Sequence, residues 1–223
     1  MLVEIDSFGP DAVWCLGDTV GYGPAPNRCC ELVSERADLC LIGNHDLVAL
    51  GELDVADFND EAAAAALWTR ERLTERSRAF LSGLQPKATA NGAELFHASP
   101  RDPVWEYVLS AETAYVSLLT TQAPLVLVGH SHVALAIGLD DGELHGGLAE
   151  GGSEVALDGR WLINPGAVGQ PRDNDPRAAW LEIDRAERVA RFHRVTYPIE
   201  VTQAAMRETG LPESLAERLA HGI

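Results

Sequence analysis

The sequence predicts an α/β domain built from two packed sheets flanked by helices. Strand-like and helical runs alternate through the first half, and closely spaced β-type runs fill the second. No repeat or Pro/Ser-rich linker interrupts the 223 residues. Alternation implies parallel strands joined by crossover helices, while short glycine-containing turns such as Asp140–Gly142 and Gly151-Gly152 imply antiparallel pairing. Residues 1–223 read as a single domain, a length that supports one well-cored unit.

In chain order, Leu2–Phe8 reads as the end of a helix stopped by Gly9-Pro10. Ala12–Leu16 and Leu39–Ile42 are apolar runs of strand length. Between them Asn27 is placed to cap a helix with Cys29 and Val33 on one face. Asn59 or Asp60 starts an alanine-rich helix through Leu73, with arginine and glutamate on its solvated side. Glu94–His97 and Leu125–Val128 are the next strands, separated by a helix that Ser110 caps and that presents Ala111, Tyr115 and Leu118. Val133–Ile137, Glu154–Leu157, Trp161–Ile163, Ala178–Ile183 and Val189–Val195 supply the second, β-rich half. Pro212 suits the first turn of a final helix carrying Leu215 and Leu219. A βαβ unit takes about 30 residues or more. Only 17 residues precede Asp18, so the strand that normally opens such a fold is expected to be missing.

A formal charge of −17 argues against nucleic acid and anionic membranes as partners. Lys87, the only lysine, lies beside Pro86 in an expected loop, which leaves no Walker lysine and no good Schiff-base lysine. Cys15, Cys29, Cys30 and Cys40 form no CxxC pair and read as reduced thiols buried on apolar faces. With no signal peptide or long apolar span, the expected location is cytoplasmic.

Four fragments follow apolar runs and are each expected in the loop where a strand ends, the place where open α/β sheets gather their binding residues. They are Gly17-Asp18, Gly43-Asn44-His45-Asp46, His97 and Gly129-His130-Ser131-His132. Singly, a Gly-Asp is a turn and a lone histidine is a hydrogen-bonded near-core residue. Together they bring a carboxylate, an amide oxygen and three imidazoles to one sheet edge. That donor set suits Mn, Fe, Ni or Zn, with the amide oxygen favouring the harder ions and hence Mn. No cysteine belongs to the set, against a structural zinc site.

These stretches, with Thr19–Pro24, Ala98-Ser99-Pro100 and Asn164–Arg172, span nearly the whole chain in order. On them the sequence resembles the calcineurin-like metallophosphoesterase superfamily, in particular its small prokaryotic phosphoesterases. The resemblance implies a four-layer αββα sandwich of two mixed sheets flanked by helices. It also implies hydrolysis of phosphomonoesters or phosphodiesters by a hydroxide bound between two divalent ions. By position, Asp18 resembles the bridging carboxylate, and Asn44, His97 and His130 the other ligands of one metal. His132 resembles a ligand of the second metal, His45 the catalytic histidine, and Asp46 the group that orients or polarises it. Arg101 and Arg172 are candidate contacts to substrate phosphate, and Tyr22 a candidate pocket residue. The substrate is expected to be a small phosphate ester or a phosphoprotein.

One departure stands out. The family opens with Asp-x-His on its first strand, and no Asp-x-His occurs in this chain. The second metal then keeps only Asp18 and His132. The favoured expectation is that the natural polypeptide carries a further N-terminal segment. The competing expectation is a chain that binds one ion only, as a mononuclear or catalytically silent metal- or nucleotide-binding module.

Overall fold

The computed structural model describes residues 1–223. The elements run α1 (Leu2–Phe8), β1 (Trp14–Cys15), α2 (Pro26–Arg36), β2 (Leu39–Cys40), α3 (Asn44–Leu50), α4 (Asp60–Arg72) and α5 (Glu75–Ser82). Next come β3 (Lys87–Ala90), β4 (Ala93–Phe96), α6 (Ala111–Thr120), β5 (Leu125–Val128), β6 (Ala134–Asp140) and β7 (Glu143–Leu148). The chain closes with β8 (Glu154–Ala156), β9 (Arg160–Pro165), β10 (Ala178–Asp184), β11 (Val189–Val195), α7 (Ile199–Glu208) and α8 (Glu213–Glu217).

A six-stranded sheet of order β3-β4-β5-β9-β6-β7 forms the centre, parallel across β4, β5 and β9 and antiparallel at both edges. Its two faces bury different residues because successive strand side chains alternate. Phe96, Val126, Val128, Leu135 and Leu162 face α6 through Ala114 and Leu118. Leu95, Leu127, Ala136 and Ile163 face a second layer through Phe192 and Ala190 of β11 and Trp14 and Leu16 around β1. Truncating Leu95 or Leu162 to alanine should cost about 2–5 kcal/mol, the scale for emptying a fully packed site. The second layer is in two pieces: the parallel pair β1-β2 and the antiparallel sheet β10-β11-β8. On the outside, Phe8 of α1 packs edge-on against Trp180 and His193 of β10 and β11. The expected arrangement of two sheet layers with helices outside is what the chain adopts.

Local signals explain most boundaries. Asn59 accepts the Ala62 N–H at 2.9 Å to start α4, and Ser110 with Thr113 forms a capping box on α6. Gly9, in the left-handed region at φ 61°, ends α1.

Four expectations are corrected. Asn27 does not cap α2, because Pro26 already occupies its first position. The Asn27 side chain instead ties α2 to the α4–α5 junction, donating to the Arg72 carbonyl and accepting the Thr74 N–H. Cys30, rather than Cys29, is the buried thiol of α2. Lys87 opens the edge strand β3 and is not in a loop. Asn44, His45 and Asp46 are the first turn of α3, also not a loop, because Asp46 accepts the Gly43 N–H in a helix-starting box.

Candidate metal centre

Asp18, Asn44, His97 and His130 follow β1, β2, β4 and β5 at one end of the two layers. Gly17 (φ 96°) and Asp18 (φ 52°) are both left-handed, which folds the Asp18 carboxylate back toward the start of α3. The turn is close-fitted: a Cβ on Gly17 would lie 2.7 Å from His97 Nδ1. Asp18 Oδ1 accepts the His45 N–H at 3.0 Å, so the first turn of α3 holds one of its oxygens.

His130 (φ 56°) and His132 (φ 61°) are also left-handed, a state that costs a non-glycine residue on the order of 1 kcal/mol or more. Asn164 at the end of β9 holds this loop. Its amide donates to the Gly129 carbonyl at 2.6 Å and to Ser131 Oγ at 2.9 Å.

Each imidazole is fixed by a backbone carbonyl. His97 Nδ1 donates to Leu16 at 2.7 Å, His130 Nε2 to Trp105 at 3.1 Å, and His132 Nδ1 to Gln170 at 2.7 Å. A carbonyl only accepts, so the bonded nitrogen carries the proton and the other presents a lone pair. Burial keeps all three rings neutral. His130 and His132 are pushed down to about 3, by burial first, and His97 is lowered by burial as well. Burial likewise raises the carboxyls of Asp18 and Asp46.

The bare atoms converge. Asp18, His97 and His130 offer ligand atoms that all lie within 4.8 Å of one another. His97 Nε2 is 3.5 Å from Asp18 Oδ2 and 3.3 Å from Asn44 Oδ1. Asp18 Oδ2 is buried with no hydrogen-bond partner. Acceptors aimed at one another with no proton between them repel, and an unpaired buried carboxylate oxygen is costly. A divalent cation removes both penalties, so the residues present fit a metal ion.

A family model described as the calcineurin-like phosphoesterase superfamily domain matches residues 1–186. The chain belongs to that superfamily. A metallophosphoesterase of Sphaerobacter thermophilus, known from its crystal structure, is 41% identical and superposes with a TM-score of 0.89, covering 99% of this chain and 92% of that one. An uncharacterized protein of Methanocaldococcus jannaschii is 36% identical over 100% of this chain and 91% of its own length. A hypothetical protein of Pyrococcus horikoshii shares the fold with a TM-score of 0.81 at 17% identity, over 100% of this chain and 91% of that one. As a calcineurin-like phosphoesterase, the chain is in general terms a metal-dependent phosphoesterase.

The remaining superfamily positions divide into two groups. His132, His45, Tyr22 and Arg172 gather beside the cluster. The His45 ring packs 4.3 Å from the Tyr22 ring and 4.5 Å from Phe58, its Nδ1 buried without a partner. Burial, then the neighbouring His132 and Arg172, holds the His45 imidazole well below its usual range. Arg172 donates to Tyr22 Oη at 3.2 Å and to Gln170 Oε1 at 2.8 Å, and its charge acts on Asp18, His45, His130 and His132.

Asp46 and Arg101 differ from expectation. Asp46 makes no hydrogen bond to the His45 ring. Its oxygens accept the Val20 N–H at 3.0 Å and the Gly43 N–H at 2.9 Å, clamping the two ligand-bearing turns together. Arg101 is held bidentate by Glu106, with its Nε 3.0 Å from Oε2, so a substrate phosphate would have to share it with that carboxylate. That pair braces the loop whose Trp105 carbonyl orients His130. Asn164 and Gln170 lie in the motif stretch, yet their service to the ligand loop has no sequence signature of its own.

No helix is long and apolar enough to cross a membrane.

Proposed function

We propose that the protein hydrolyses small phosphate esters at this centre with two divalent ions, Mn²⁺ in the first instance. The carrying observation is that the buried, unpartnered Asp18 Oδ2 meets the bare nitrogens of His97 and His130. Asp18, Asn44, His97 and His130 would hold one ion, and Asp18 with His132 would contribute to the other. Such ions lower the pKa of water and neutralise phosphoryl oxygens.

The chain's own groups do the rest. The carbonyls of Leu16, Trp105 and Gln170 keep His97, His130 and His132 in the tautomers that leave their site nitrogens bare. Arg172, steadied by Tyr22 and Gln170, offers its guanidinium to the phosphoryl oxygens. His45, wedged between Tyr22 and Phe58 and kept neutral there, would steady the charge developing on the phosphoryl or departing oxygen by donating a hydrogen bond. The net charge of −17 favours substrates drawn in by the bound cations over nucleic acid or anionic membranes, and the setting proposed for this activity is the cytoplasm.

Hydrolysis of p-nitrophenyl phosphate with added Mn²⁺ tests this reading. Metal-stimulated turnover lost in both Asp18→Asn and His130→Ala is the expected result. No turnover, or variants equal to wild type, would sink it. One observation favours a mononuclear or silent binder instead: His132 stands outside the tight three-residue cluster. Metal analysis separates the two, about two ions per chain for the enzyme against one for the binder.

A further inference from the structure

Trp105, Glu106 and Tyr107 form a braced strap beside the ligand loop. Asp102 Oδ1 accepts the Val104 and Trp105 N–H groups, each at 3.1 Å. Glu106 is held by Arg101 and by the Ser99 hydroxyl, and Val108 is buried against Ala114 and Leu118 of α6. Tyr107 is therefore pinned from both sides along the chain. Its ring lies over the His130 imidazole, with 4.0 Å between centroids and 20° between planes.

One face of Tyr107 is thus covered by a histidine whose Nδ1 belongs to the candidate metal centre, because the other nitrogen donates to the Trp105 carbonyl. Even so, Tyr107 is 44% exposed, and it belongs to none of the hydrophobic clusters of the core. An exposed ring on a loose loop would carry no meaning. A ring held in register with a metal-ligating imidazole offers flat apolar area at the edge of the site at little cost in ordering. Further rings continue from the same strap. Trp105 meets Phe58 edge-on at 5.7 Å, Phe58 packs 4.5 Å from His45, and His45 packs 4.3 Å from Tyr22. Aromatic surface therefore borders the centre on the His45 side as well as the His130 side.

We propose that Tyr107 is a stacking platform for the leaving group, and that preferred substrates are aryl phosphate esters, with a flat ring joined directly to the ester oxygen. This rests on the phosphoesterase reading above. The Tyr107 ring lies against a ligand imidazole itself, so it serves a ring next to the phosphoryl group better than a base set off by a sugar.

The test uses phenylphosphonate and cyclohexylphosphonate, which share charge and bulk while only the first is flat. The dissociation constant of each is measured by titration calorimetry on the Mn²⁺-loaded protein. Wild type should bind phenylphosphonate about three- to tenfold more tightly, the scale of one stacked aromatic pair. Tyr107→Leu should lose that preference and Tyr107→Phe should keep it. Leu109→Ala, at an exposed position two residues further on, should leave it untouched. No preference in wild type, no binding of either ligand, or a preference kept in Tyr107→Leu overturns the proposal. An equal weakening of both ligands in Tyr107→Leu, with the preference kept, would mean that the ring only steadies His130. Should Tyr107→Leu fail to take up Mn²⁺, Tyr107→Trp decides. Its wider face should sharpen the preference, and an unchanged or smaller one overturns the platform. Turnover of p-nitrophenyl phosphate is measured alongside. Turnover without the preference defeats the platform alone, and the preference without turnover supports the platform and defeats the phosphoesterase reading.

Discussion

Gly43 has no side chain because Asp18 occupies the space: a Cβ on Gly43 would lie 2.0 Å from Asp18 Oδ1. The glycine that starts α3 and the carboxylate that follows β1 are therefore one fitted unit. Gly43→Ala must displace either the Asp18 carboxylate or the start of the helix. Overpacking of this kind costs about 1–3 kcal/mol. A larger effect is expected on metal binding, because Asp18 is common to both proposed ion sites. Mn²⁺ affinity and aryl phosphate turnover should each fall more than about tenfold, as a ligand moved by a fraction of an ångström loses its geometry. Wild-type Mn²⁺ affinity in Gly43→Ala would show that the close approach is incidental.

The metal-free protein should lose stability as pH falls from about 6.5 toward 4. His130 and His132 sit at about 3 when folded, against an ordinary imidazole near 6.5, and His45 and His97 are lowered too. Between those values the unfolded chain binds the extra protons, so each depressed imidazole contributes stability above its unfolded pKa that drains away as pH drops. Asp18 and Asp46 act oppositely, since burial raises both carboxyls and protonating them favours the folded state. Four depressed imidazoles outweigh two raised carboxyls, leaving a net loss on acidification of about 1.4 kcal/mol per pH unit for each uncompensated group. Thermal unfolding in EDTA between pH 7 and pH 4 checks this, and a midpoint that rises on acidification would contradict it.

How much of this was legible in the sequence follows from where each signal is written. The ligand turns could be read because each pairs a distinctive dipeptide or tripeptide with the apolar run before it, as in Val126–Val128 before Gly129-His130. Strands β3 and β7 could not. Lys87-Ala-Thr-Ala and Glu143-Leu-His-Gly-Gly-Leu are edge strands with exposed faces, so apolar alternation is weak. The work of Asp46 was hidden because its partners are backbone N–H groups, one of them 26 residues away at Val20. Arg101 misled because Glu106, only five residues on, is an ordinary acidic residue until the loop folds.

Divalent metal should stabilise the fold and distinguish the two ion positions. Any ligand that binds only the folded state adds RT ln(1 + [L]/Kd), about 2.7 kcal/mol at a hundredfold excess over Kd. His97 and His130 belong to the tight cluster with Asp18, and His132 does not. His97→Ala should therefore abolish most of the thermal shift produced by Mn²⁺. His132→Ala should keep the greater part of the shift and lose turnover, since it strips only the second position. Equal shifts in the two variants would mean that the ions do not divide between these residues as described.

Asp46→Asn tests whether the buried carboxylate serves the backbone or the His45 ring. The native side chain gives one oxygen to Val20 N–H and one to Gly43 N–H. Asparagine keeps one oxygen and turns an NH₂ group toward the other donor, leaving that N–H unpaired in a fully buried place. The cost is about 1–3 kcal/mol, the desolvation penalty of an unmade hydrogen bond. Since Val20 and Gly43 frame Asp18 and Asn44, the loosened turns should weaken Mn²⁺ binding along with stability. If the carboxylate instead tuned His45, the variant would keep native stability and metal affinity and shift only the pH profile of kcat. Denaturant unfolding and Mn²⁺ titration of Asp46→Asn, set beside its pH–rate profile, decide between a clamp and a proton-tuning partner. The hydrogen bonds favour the clamp.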